Sequence, residues 1–166
     1  IITAYPLFVG SQSEANVKAG IGVDNDNIYI QCIVSDSTPV SASPGSQKGD
    51  GIYLYIDSDN SSLKAPDKGI YKIWCSDQGE QELWEGKCGK WEKSSIQGIK
   101  ISNQKTNEGY TLDFIIPRKN ISTSMSPTIR LGLALSNYST QYNGIVEQIA
   151  HGTDLESRSW IKIELN

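Results

Sequence analysis

Carboxylates are the side chains here most able to do acid–base chemistry, and Asp36, Asp50, Asp57 and Asp113 hold the most suspicious positions among the nineteen acidic residues. A glycosidase needs two carboxyls roughly 5 to 10 Å apart across one bond. Asp50 and Asp57 bracket a single extended run, and seven residues of strand hold them about 23 Å apart. They cannot serve as paired acid and nucleophile. The single histidine, His151, stands in Ala150-His151-Gly152-Thr153-Asp154 with no nucleophile elbow, the context of a loop histidine. The chain reads as non-catalytic. Asp57-Ser58-Asp59-Asn60 offers oxygen ligands at alternate positions, as calcium loops do, without the downstream bidentate Glu of an EF-hand. Calcium on Asp57 and Asp59 is the cofactor candidate, and an Asx-turn is the competing reading.

The four tryptophans offer a second kind of chemistry. A flat aromatic face suits the apolar C–H face of a sugar ring, while neighbouring polar groups take up the hydroxyls. Trp74 alternates with Tyr71, Ile73 and Cys75, so it points outward from its sheet together with Lys72. An outward tryptophan must be covered or used. Trp84 and Trp91 each either cover a core edge or stand next in line as platforms.

Fifteen basic residues against nineteen acidic ones leave a net charge of −4, which gives no field for neutralising phosphates and argues against nucleic acid as a partner. No run approaches the roughly 20 apolar residues of a membrane-spanning helix, so no membrane insertion is expected. Cys32, Cys75 and Cys88 contain no C-x-x-C pair for zinc. Cys75 and Cys88 flank the turn Asp77-Gln78-Gly79, and a cross-strand disulfide there leaves Cys32 as a buried thiol. Three free thiols are the alternative.

The elements that must position these groups have period two nearly everywhere. Ile28, Ile30, Cys32 and Val34 share one face of Asn27–Ser35, and the same alternation runs through 17–23, 52–57, 71–75, 110–116, 129–136 and 160–165. Weaker strands are expected at Tyr5–Gly10, Gln81–Glu85, Ile96–Ser102 and Ile145–Ala150. Turn residues such as Asp24-Asn25-Asp26-Asn27, Pro44-Gly45 and Asn107-Glu108-Gly109 separate them. No segment sustains a 3.6-residue period. The pattern predicts one all-β domain over residues 1–166, an antiparallel two-sheet β-sandwich. Residues 35–49, rich in Ser, Pro and Gly, form a long surface loop of the kind that is usually functional.

Five segments resemble carbohydrate-binding modules of family 9. Asp24-Asn25-Asp26-Asn27-Ile28-Tyr29-Ile30 with Val34-Ser35-Asp36 resembles the family's "D-x-x-N-L-Y … V-x-D" opening. Gly49-Asp50-Gly51-Ile52-Tyr53-Leu54-Tyr55-Ile56-Asp57 is similar to its "G-D" strand. Gly109-Tyr110-Thr111-Leu112-Asp113-Phe114-Ile115-Ile116-Pro117 resembles its "G-Y … I-P" strand. Leu131-Gly132-Leu133-Ala134-Leu135-Ser136-Asn137 resembles the strand ending "N-D", and Trp160-Ile161-Lys162-Ile163-Glu164-Leu165 the closing strand. Two departures stand out: Tyr138 follows Asn137 in place of an acid, and the tryptophan that forms half of an aromatic clamp in sugar-binding members is absent.

The resemblance implies a non-catalytic module of a secreted or surface polysaccharide-acting protein, extracellular or at the cell surface, taking a plant-type polysaccharide or oligosaccharide by aromatic stacking. It also implies one module of a larger multidomain protein, in keeping with the start Ile1-Ile2-Thr3-Ala4, which reads as an excised piece. The expected site has Trp74 as its floor and Lys72 beside it. Asn137 enters through its match to "N-D", Tyr138 as the aromatic nearest the missing tryptophan, and Trp84 as the next platform. A structural or adhesion sandwich that binds no free sugar is the alternative.

Overall fold

The computed structural model describes residues 6–11, 14–43 and 46–165. Among these, twelve strands form two antiparallel sheets. One sheet has the order β1 (Leu7–Gly10), β2 (Ala15–Val23), β3 (Asn27–Asp36), β9 (Gly109–Pro117) and β8 (Lys100–Lys105). The other runs β11 (Gly144–Ala150), β10 (Thr128–Ser139), β4 (Gly51–Asp57), β5 (Ile70–Ser76), β6 (Gln81–Lys87) and β7 (Lys90–Lys93), with β12 (Ile161–Glu164) on β10 ahead of β11. The all-β sandwich expected from the alternation is the observed architecture. Tyr5 and the Pro44-Gly45 turn lie outside the described residues.

Period-two alternation sends one set of side chains from each sheet into a shared interior. From the first sheet these include Val17, Ile28, Ile30, Cys32, Leu112 and Phe114; from the second, Ile52, Leu54, Ile56, Ile73, Leu131 and Leu133. Asp24 holds the β2–β3 turn as an Asx cap, accepting from the backbone N–H groups of Asp26 and Asn27. A single helical turn, α1 (Arg118–Ile121), follows β9 and adds Ile121 to the core.

β4 departs from simple alternation because it is buried on both faces. Its other face carries Tyr53 and Tyr55, which belong to a second apolar cluster with Ile70, Trp74, Ala134 and Trp160. Gly132 makes room for Trp160: a Cβ there would fall 3.0 Å from the indole. The second sheet therefore has an aromatic outer layer.

The expected Cys75–Cys88 disulfide is not formed, and all three cysteines are free. The tight turn fixes the register and pairs Cys75 with Gln81 and Tyr71 with Glu85. Cys88 lies past the far end of β6, about 20 Å away along the strand. Cys75 faces the core and Cys88 faces solvent.

Candidate functional site

The outer layer of the second sheet is built by strand register. Tyr53 stands opposite Trp74 and Tyr55 opposite Lys72, while β6 sets Trp84 opposite Lys72 and Glu82 opposite Trp74. The rings of Tyr53 and Trp74 lie 4.7 Å apart, and those of Tyr55 and Trp160 5.4 Å. Trp91 comes from β7, three strands away, yet its ring is 6.3 Å from that of Tyr55. Such an approach requires the β6–β7 hairpin to curl over the sheet. Gly86 permits the curl, because a Cβ there would meet the backbone of Asp67 at 2.2 Å.

Lys72 lies at the centre of this layer. Its ammonium is 4.8 Å from the ring centroid of Tyr53 and 4.8 Å from that of Trp84, a cation–π contact on each. Burial lowers its pKa, while Asp154 and Glu147 act in the opposite direction. The Tyr53 hydroxyl donates to Gln47 Oε1 at 3.0 Å, and Gln47 Nε2 donates to Glu82 Oε2 at 2.9 Å. Glu82 also pairs with Lys93 at 3.3 Å. Burial holds the Tyr53 phenol well above its ordinary value, with Glu147 and Glu82 adding to the effect. Aromatic faces bordered by an amide, a carboxylate and an ammonium are suited to a ligand with both an apolar face and many hydroxyls.

Trp74 has the outward phase read from its strand, but it is only 2% exposed. Its ring packs on Tyr53 and against Gly51, where a Cβ would lie 2.5 Å from it. Its rim borders a groove of about 360 Å³ with Ser46, Gly79 and Glu82. The ring is thus a buried floor, and Trp84, half-buried beside Lys72, is the more open surface. Asn137 and Tyr138 are not brought to this place. Asn137 shares the inward parity of Leu135 and lines a small hollow with Ser11 and Glu14. Tyr138 returns to the outward parity, but four residues of β10, about 13 Å, separate it from Ala134, the residue opposite Tyr53. Its hydroxyl donates to Asn143.

The carboxyls of Asp57 and Asp59, the calcium candidates, turn to different partners. Asp57 is fully buried and accepts from the N–H groups of Ser61 and Ser62 and from Ser157 Oγ, each at 2.8 Å. Asp59 turns the other way and accepts from Ser122, Thr123 and Ser124. Burial opposes the charge on Asp59, yet those hydrogen bonds outweigh it and hold the carboxyl below its ordinary range. Among the described residues no three His, Cys, Asp or Glu side chains converge on a metal position.

Tyr53, Gln47 and Glu82 were not singled out in the sequence. Tyr53 carries a readable signal, since it alternates with Ile52 and Leu54 and must face outward. Gln47 carries none, because its position depends on the path of a loop.

The family model described as carbohydrate family 9 binding domain-like matches residues 4–164. Two solved structures of a family 9 carbohydrate-binding module from Caldicellulosiruptor kristjanssonii share the fold. The one in complex with cellotriose superposes with a TM-score of 0.73 at 11% identity, covering 96% of this chain and 79% of that one. The one in complex with glucose gives 0.74 at 12%, covering 99% and 84%. No curated protein matches the chain.

Proposed function

The chain belongs to the carbohydrate family 9 binding domain-like proteins, and from that membership we propose a non-catalytic module that holds a neutral, plant-type polysaccharide or oligosaccharide on the outer face of the second sheet. The reading places the module in a secreted or surface polysaccharide-acting protein, extracellular or at the cell surface, as one part of a longer chain. The observation that carries it is Lys72 seated between the Tyr53 and Trp84 rings, with Gln47 and Glu82 at the border. A sugar ring laid on Trp84 finds an apolar face beneath it and hydroxyl partners beside it.

The alternative, a structural sandwich without sugar binding, draws support from the burial of Trp74 and Trp160 at 2% exposure each. Titration of intrinsic tryptophan fluorescence with cello-, xylo- and manno-oligosaccharides and pectin fragments separates the two. A saturable change with a neutral oligosaccharide is expected. No change with any of the four would favour the structural alternative.

A further inference from the structure

Where the segment after β3 returns to β4, three carboxyls lie almost out of solvent: Asp36 at 6% exposure, Asp50 at 1% and Asp77 at 6%. Asp50 is central. One of its oxygens accepts the N–H of Val40 and the other that of Tyr138, so one side chain ties residues 37–43 to β10. Three further bonds reinforce the tie: Asp50 N–H to Val40 O, Asp77 N–H to Asp50 O, and Ser136 Oγ to Gly49 O. Asp36, at the end of β3, accepts from Thr38 N–H and sits within hydrogen-bond reach of the Asp50 carboxyl. Two carboxyls can bond to each other only if one of them carries a proton.

The other groups that face Asp50 do not supply a compensating charge. Asp77, after β5, takes Ser41 Oγ and Gln78 Nε2 on one oxygen, while its other oxygen is buried without a partner. The Tyr110 hydroxyl, from β9, is likewise buried and unpartnered, and Asp50, Asp77 and Asp36 are the leading charges acting on it. Lys105 lines the groove outside Asp77 and Tyr110. Every hydrogen-bond donor named at the three carboxyls is neutral. Buried carboxylates without positive partners are costly, and a proton held between two of them relieves the cost.

We propose that Asp50 holds a proton, which it donates to the neighbouring Asp36 carboxyl, and forms a pH-sensitive latch that fastens residues 37–43 and 46–50 to β10, closed while Asp50 is protonated and loosened when it ionises. Burial, with Asp36 beside it, raises the Asp50 carboxyl to about 7 against the backbone bonds from Val40 and Tyr138. The folded value lies above the ordinary aspartate value of 3.8, so the contribution to stability is full in acid and is lost as pH rises from about 4 to about 7. Residues 46–50 include Gln47, which reaches Tyr53 and Glu82. The state of the latch therefore extends to the aromatic face, although its tests need no sugar.

Hydrogen exchange of peptides spanning 37–43, corrected for intrinsic rates, and thermal midpoints should be followed from pH 5.5 to 8.5. In the wild type, protection should fall and the midpoint should drop by several degrees. In Asp36→Asn the amide donates to an ionised Asp50, so both profiles should flatten over this range. A flat wild-type profile, or Asp36→Asn with the wild-type slope, would overturn the latch. If that variant does not fold, the infrared carbonyl band of a protonated buried carboxyl in the wild type decides: it should be present at pH 5.5 and lost by pH 8.5, and its absence at pH 5.5 overturns the proposal. A midpoint raised at pH 8 by millimolar calcium, and not so raised in Asp36→Asn, would assign the cluster to a cation and overturn the protonation of Asp50.

Discussion

Lys72 and Trp84 divide the work of the aromatic face between charge and surface. Trp84 is half-buried and has one ring face against the Lys72 ammonium, so its truncation removes both the platform and the lysine's seat. Loss of one stacking aromatic costs about 2 kcal/mol, roughly thirtyfold in affinity. Trp84→Ala should weaken oligosaccharide binding by that order in a calorimetric titration, and unchanged affinity would move the site elsewhere. Lys72→Met keeps an apolar stem on both rings and deletes the charge. For a neutral sugar it should cost less than Trp84→Ala in the same titration. Asp57 acts through burial instead. With three donors on one buried carboxylate, Asp57→Ala should cost about 3 kcal/mol in denaturant unfolding. Calcium added to chelator-washed protein should leave the wild-type midpoint unchanged, and a rise abolished by Asp57→Ala or Asp59→Ala would return a metal to that loop.

Among the elements, the β6–β7 hairpin decides the shape of the face. It docks on residues 66–67, where Gly89 N–H donates to Pro66 O and Gly86 lies against the Asp67 backbone. Gly86→Ala puts a methyl into that contact and should lift the hairpin at a cost of about 1 to 3 kcal/mol. Trp91 would then separate from Tyr55, and its emission should shift to longer wavelength. Little of this was legible in the sequence. The Ile28-to-Val34 alternation placed β3 within one residue of its observed end, because a half-buried strand writes its period directly into residue types. Lys90-Trp91-Glu92-Lys93 has one apolar residue, so β7 left no such trace. The expected strand at Ile96–Ser102 is displaced to Lys100–Lys105, an edge whose residues are mostly exposed and therefore carry no inward signal. For the site, the outward phase of Lys72 and Trp74 followed from period two. The separation of Asn137 and Tyr138 from them depends on cross-strand register, which is set by turns and partners elsewhere.

At the scale of the whole molecule, neighbouring strands come from distant parts of the chain: β3 pairs with β9 and β4 with β10. Closing such long loops before contacts form makes folding slow, on the order of milliseconds to seconds. With one shared interior beneath both sheets, far-UV circular dichroism and tryptophan emission should report the same denaturation midpoint. Separate midpoints would show that the aromatic layer melts on its own. The same architecture sorts the three thiols. Cys32 and Cys75 are sealed in the core, where burial raises both thiols, Cys75 to about 12. Cys88 stands exposed at the tip of the β6–β7 hairpin, three residues before Trp91. A maleimide dye should therefore label the native protein at a single position with no engineered cysteine, on the one hairpin that curls over the aromatic face. The molecule carries its own attachment point for a reporter or a solid support, close enough to that face for the label to register whatever settles there.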